Sequence, residues 1–182
     1  MTDRKGKGIC YDDEPILLED QADDIQIEEY HLSLIGKQNC HYTITVKTGA
    51  RHDSRTDSTI GVVLAEKSGN YIEITDLVSW GGNMEPGRYY FEHDYLGIFT
   101  WTERCLLNPI CLMNLSSDGT GNKPGWYAAY VDVMTTKTGS VSKHQHFTVD
   151  QWLAVSEPPY QLSAQRNNCP SEIKKVSIQS YE

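Results

Sequence analysis

A chain of 182 residues has room for one domain with extensions and not for two catalytic domains. With 38% apolar residues, eleven Tyr, four Trp and fourteen Gly, it holds enough core-forming surface to exclude wholesale disorder, and its apolar runs fall far short of the roughly twenty residues of a transmembrane helix. The net charge of -9 argues against nucleic acid, whose affinity rests on Lys and Arg neutralising phosphates.

Residues 1 to 36 hold ten acidic and three basic side chains, so most of the charge belongs to an acidic leader. Its composition predicts a solvated extension, with the more apolar stretch 25 to 35 able to dock as a strand or short helix. No apolar stretch of secretory-signal length opens it, and on that ground a cytoplasmic location is one expectation.

From residue 41 the period changes to two. Tyr42, Ile44 and Val46 alternate with Thr43, Thr45 and Lys47, and Ile60, Val62 and Leu64 repeat the pattern after a polar loop. Ile72 and Ile74 follow the turn signal KSGN. Further runs span 89 to 99, 111 to 115, 126 to 134, 144 to 149 and 160 to 165, separated by Gly and Pro clusters. Eight short strands without crossover helices predict an all-β, antiparallel eight-stranded β-sandwich, with helix confined to a turn or two near Gln151 or in the leader.

Chemistry is sparse along these strands. No GxSxG, HExxH, glycine-rich phosphate loop or CxxC pair is present, and the reading is that the protein is not an enzyme and has no catalytic residues. His144 and His146 share a strand face, as do Glu92 and Asp94, and both pairs read as polar surface. Calcium is the one metal the loops suggest, through Asp53, Thr56 and Asp57 in one loop and Asp118 in another, although Arg51 and Arg55 oppose a cation there. Trp126 and Trp152 read as core residues. Trp80 and Trp101 sit beside Gly or polar residues, where an amphipathic ring suits a membrane interface or a protein hot spot.

The strings YTITVKTG (42 to 49), RTDSTIGVVL, YFEHDYLGIF and PGWY (124 to 127) resemble the PLAT domain, the β-sandwich shared by polycystins, lipoxygenases and clostridial alpha-toxin. SWGGNMEPGRYYFEHDYLGIFTWTERC and FTVDQWL are similar to the stand-alone, stress-related or embryo-specific PLAT proteins of plants. The resemblance covers residues 40 to 170. It implies two four-stranded sheets, domain bounds of 37 to 170 between the leader and a tail of 171 to 182, and a monomeric, non-catalytic module. Such a module docks to membrane lipid or to a protein partner, or, on the alternative reading, acts by protein contacts alone. It also implies a secreted or endomembrane protein. Trp80, Met84 and Trp101, with Arg88 and Arg104 beside them, are the candidate docking residues, by the logic that interfacial aromatics insert while nearby cations meet head groups.

The five Cys stand at 10, 40, 105, 111 and 169. In a PLAT-like sandwich whose first and last strands are neighbours, Cys40 pairs with Cys169 and Cys105 with Cys111, leaving Cys10 as a free thiol. In a reducing compartment all five stay thiols. Asn114-Leu115-Ser116 is a glycan acceptor if the chain enters the secretory pathway.

Overall fold

A computed structural model describes residues 38–84 and 89–171. The acidic leader with Cys10, the tail from residue 172, and Arg88 lie outside the described residues. Eight strands form in chain order: β1 (Asn39–Thr48), β2 (Ile60–Glu66), β3 (Tyr71–Ile74), β4 (Leu96–Arg104), β5 (Ile110–Ser117), β6 (Trp126–Lys137), β7 (Lys143–Leu153) and β8 (Ser163–Asn167). They make two antiparallel four-stranded sheets, ordered β4-β1-β6-β7 and β3-β2-β5-β8. The period-two pattern has the expected cause: alternate residues of β1, β2 and β5 turn inward, and the two inner faces form one core. Trp126, Phe99, Phe147, Ile44 and Leu115 are fully buried there, and Trp126 donates its indole N–H to Thr48 Oγ1 at 3.0 Å.

Two elements differ from the sequence reading. The run 89–99 is not one strand: Tyr90 and Phe91 are buried within a turn, pack against Phe99, and β4 begins only at Leu96. Aromatic packing, not strand pairing, explains the apolar character of that segment. The short helix is α1 (Leu77–Gly81), capped by the Asp76 side chain accepting from the Val78 amide, whereas Gln151 lies inside β7.

Each sheet edge is closed by a specific device. α1 lies over β4: a Cβ on Gly81 would meet the Thr100 backbone at 2.8 Å, Gly82 forms a bridge to Phe99, and the Asn83 amide donates to Thr100 Oγ1 at 2.9 Å. Further along the same edge, the Arg104 guanidinium donates to the Tyr71 carbonyl of β3. At the opposite edge Arg166 of β8 donates to the Thr148 and Val149 carbonyls of β7.

The chain reversals collect at two ends. Loops 49–59, 118–125 and 154–162 and the segments 75–84 and 89–95 form one. The hairpin turns 67–70 and 138–142, the crossover 105–109 and the segment 168–170 form the other, which carries both disulfides. The pairing expected from the sequence is corrected: Cys40 joins Cys105 and Cys111 joins Cys169, with Cα–Cα distances of 4.9 and 4.7 Å. The expectation assumed that β1 and β8 are neighbours, but they lie in different sheets. Each bridge instead joins two strands already in register: Cys40 opposes Glu103 on β4, and the Asn168 amide donates to the Cys111 carbonyl.

With sequence separations of 65 and 58, each bridge contributes about 4 kcal/mol on the chain-entropy account. Proteolysis without reductant, followed by mass mapping, is expected to release linked Cys40/Cys105 and Cys111/Cys169 peptides. Recovery of a Cys40/Cys169 peptide contradicts the sheet order.

Candidate functional site

The expected docking residues do not share one environment. Trp80, on α1, is only partly exposed and packs against the core, with its indole nitrogen buried, and Met84 packs there too. They seal the β4 edge, which answers for Trp80 the choice between a sandwich cover and a free interfacial ring. Trp101 is different. It lies on β4 opposite Tyr42, on the inward row, but β4 is the outer strand and Trp101 stays 53% exposed. Arg104 is exposed yet committed to the Tyr71 carbonyl, so its first role is to clasp two sheets. Leu96 and Ile98 add exposed apolar surface on the outer face of the same strand.

In loops 49–59 and 118–125 the four calcium candidates do come close, but with their oxygens occupied. Asp57 accepts the Asn122 and Lys123 amides at 3.0 and 2.8 Å. These two amides, Lys123 foremost, hold its carboxyl below the ordinary carboxylate value. Asp118 accepts from the Thr120 and Thr59 amides, and the Thr120 amide above all lowers its carboxyl in the same way. The Thr56 hydroxyl donates to the Lys123 carbonyl at 2.7 Å, and the Lys123 ammonium stands 3.4 Å from Asp53. A calcium ion needs six to eight converging oxygens. Here the carboxylates tie one loop to the next around a cation, and among the described residues no three His, Cys, Asp or Glu side chains are placed to hold a metal ion. The residues do not fit calcium.

Three polar clusters form in the fold, and of their residues only the His144 and His146 pair was marked in the sequence. Ser54 is buried beside His93, with Oγ 3.1 Å from Nδ1, but its hydroxyl donates to the Gly49 carbonyl at 2.6 Å and has no proton left for a base. On the outer face of the first sheet, Asp132 Oδ1 lies 2.7 Å from His146 Nδ1 and 3.5 Å from His144 Nε2, and His146 Nε2 lies 3.2 Å from Thr148 Oγ1. These side chains meet because β6 and β7 pair Asp132 with His146. The face is open to water, which weakens each contact. Trp152, expected in the core, is half-buried against this sheet, edge-on to Tyr127, over which Arg51 stacks at 4.5 Å.

The third cluster is at the disulfide end. Glu66 is fully buried and accepts from Ser68 Oγ, the Asn70 side chain, and both the amide and the side chain of Asn108. Burial pushes this carboxyl up, but the hydrogen bonds more than offset it and hold Glu66 below the ordinary value. Beside it opens a cleft of about 540 Å³ lined by Lys67, Ser68, Asn108, Pro109, Cys111 and Pro170. Asn114 lies mid-strand in β5, half-buried and opposite Val63 and Gln165.

Residues 42–164 match the family model of the PLAT/LH2 domain. The chain belongs to the PLAT/LH2 domain family. It is 44% identical over 137 residues to PLAT domain-containing protein 2 of Arabidopsis thaliana, covering 75% of each chain. PLAT domain-containing protein 1 of the same plant is 42% identical over 136 residues, again with 75% of each chain covered. Among solved structures, the crystal structure of Delta413-417:GS LOX shares the fold, at a TM-score of 0.50 and 19% identity over 72% of this chain and 17% of that one. The two four-stranded sheets are therefore those of a PLAT sandwich.

Within this PLAT domain, Trp80→Ala is expected to cost about 2 kcal/mol or more in denaturant unfolding, because it opens the cover of the β4 edge. Trp101→Ala is expected to stay within about 1 kcal/mol of wild type. Glu66 makes a separate forecast. A carboxyl lowered on folding stabilises the native state above its unfolded value, here 4.5, and that contribution fades as pH falls through the folded value. Glu66→Gln is therefore expected to cost about 1 to 3 kcal/mol at neutral pH, with the gap to wild type closing below pH 4.5. A gap independent of pH contradicts the hydrogen-bonded carboxylate.

Proposed function

We propose that this PLAT domain is a non-catalytic docking module that seats on a lipid surface or a protein partner. The observation that supports it most is Trp101. The protein buries four aromatic rings, Tyr90, Phe91, Phe99 and Trp126, in one contiguous stack, covers the neighbouring edge with Trp80, and still leaves Trp101 half-exposed on the outer strand. An indole on an otherwise polar edge is the side chain that partitions best to a membrane interface and most often anchors a protein contact. Leu96 and Ile98 expose further apolar surface on the other face of the same strand. Among the described residues, the Ser54 hydroxyl, the Asp57 and Asp118 carboxylates and the His146 imidazole are spent on loop ties and surface pairs, which supports a binding role over catalysis. The plant relatives give such a module its setting, and the stress- or embryo-related role that the sequence resemblance implies is part of this reading.

Flotation with neutral and anionic vesicles, and pull-down from plant extract, test the reading with one variant. Trp101→Ala is expected to fold as wild type and to lose at least about tenfold in binding in one of the two assays. Loss on vesicles favours the lipid reading and loss in pull-down alone the purely protein-directed one. Unchanged binding in both overturns the placement of the contact at Trp101.

A further inference from the structure

The loops alternate between the two ends of the sandwich, and so does their charge. At the end formed by loops 49–59, 118–125 and 154–162 and the segments 75–84 and 89–95, the described residues include seven carboxylates, on Asp53, Asp57, Asp76, Glu92, Asp94, Asp118 and Glu157, against three cations. All three cations are engaged: Arg55 with Glu92, Lys123 with Asp53, and Arg51 over Tyr127. At the disulfide end the sign reverses. The loops and the strand residues that border them carry Lys67, Arg104, Lys137 and Lys143, against Glu66 alone, which is buried and fully hydrogen-bonded; Glu103 stands one residue further in. Lys137 and Lys143 flank the β6–β7 turn and are exposed, and their ammonium groups make no ion pair or hydrogen bond among the described residues.

Exposed apolar tips stand at both ends, Tyr89, Val155 and Tyr160 among the acidic loops, but at the disulfide end they stand beside cations that make no ion pair among the described residues. Val141, at the crown of that turn between the two lysines, is 91% exposed, and Leu107 in the crossover is 49% exposed. The crossover that presents Leu107 is pinned on both sides by the disulfides, at Cys105 and Cys111, so the tip is held at little further ordering cost. The cleft beside Glu66 adds Lys67, Ser68 and Asn108 as polar lining, with Pro109 and Pro170 as apolar walls. The ammonium groups of Lys137 and Lys143 around projecting apolar side chains match a surface that is anionic outside and apolar beneath. The opposite end, with its excess of carboxylate, is repelled by such a surface unless a cation bridges, and its oxygens do not converge on one.

We propose that the disulfide end is a docking face for anionic lipid that works without a bridging metal, with Lys137 and Lys143 meeting head groups, Val141 and Leu107 entering the interface, and the Lys67 cleft receiving a head group. This rests on the reading of the protein as a docking module and gives it a sign preference and an orientation. The orientation leaves Trp101, three residues from the β4 terminus, near the interface, and turns the acidic loops away.

Sedimentation of the full chain with phosphatidylcholine vesicles and with vesicles containing phosphatidylserine, both in chelator, tests it. Wild type is expected to prefer the anionic vesicles, with affinity that falls as salt rises. Lys137→Glu with Lys143→Glu is expected to lower that binding at least about tenfold, since each basic side chain near an anionic surface contributes roughly fivefold. Lys137→Gln with Lys143→Gln should fall between. Both variants should melt as wild type, because the side chains are exposed. Equal binding to neutral and anionic vesicles, dependence on calcium, or indifference to the charge reversal overturns the assignment. If binding then still falls with Trp101→Ala, the docking function stands without it. Absence of any vesicle binding removes the lipid reading as a whole. Self-association that the charge reversal abolishes assigns the face to a second copy of the chain, and also overturns the proposal.

Discussion

A two-sheet sandwich has open edges, and every strand at an edge offers unpaired N–H and C=O groups to water or to another chain. This protein closes them with a small helix, two arginines and a pair of apolar covers, Trp80 and Met84, and much of its side-chain chemistry follows from that demand. α1 can lie against β4 because Gly81 lets its backbone approach Thr100 closely. Arg104 and Arg166 then reach across to strands of the other sheet, so each open side is spanned by a guanidinium donating to backbone carbonyls. A cation in such a position is a structural part even where solvent reaches it.

The same demand governs the ends. A chain that alternates between sheets must cross from one to the other in loops whose backbone groups need partners. At one end the partners are carboxylates: Asp57 and Asp118 each take two backbone amides, and Ser58 donates its hydroxyl to the Thr120 carbonyl. At the other end they are Glu66, buried under Asn108, and Tyr42, whose hydroxyl donates to the Arg104 carbonyl at 3.0 Å and accepts the Leu106 amide at 3.2 Å. The acidic loops are therefore ties, and the crossover 105–109 is fastened by two hydrogen-bonded side chains and two disulfides.

What is left over is the material for binding. With Trp80 and Met84 against the core and Arg104 and Arg166 on the edges, exposed apolar side chains remain at both ends, Val155 and Tyr160 among the acidic loops and Val141 and Leu107 at the disulfide end, with Trp101 on the outer strand; the ammonium groups of Lys137 and Lys143, without an ion pair among the described residues, stand at the disulfide end. The PLAT sandwich thus holds its rigid framework and its contact surface in different side chains. Changes in one are separable from changes in the other.

The strand alternation was legible from residue 42 onward because burial of one sheet face imposes a period of two that can be counted along the chain, as in β1 and β2. The class of fold, the number of strands, the family and the core placement of Trp126 followed from that period and from local motifs. The segment 89–99 misled for the same reason in reverse: Tyr90 and Phe91 are apolar because they meet Phe99 and Trp126 in space, and nothing local distinguishes such a turn from a strand. Cysteine pairing, the role of Arg104, the exposure of Trp101 and the sign of each end were decided by which strands lie side by side. Eight strands can be ordered in many ways with one periodicity, and only tertiary structure put β1 beside β4 and β8 beside β5. Charge shows this most plainly: among the described residues acids and bases follow one another in mixed order, and it is the up-and-down path of the chain that gives one end an excess of carboxylates and the other an excess of cations.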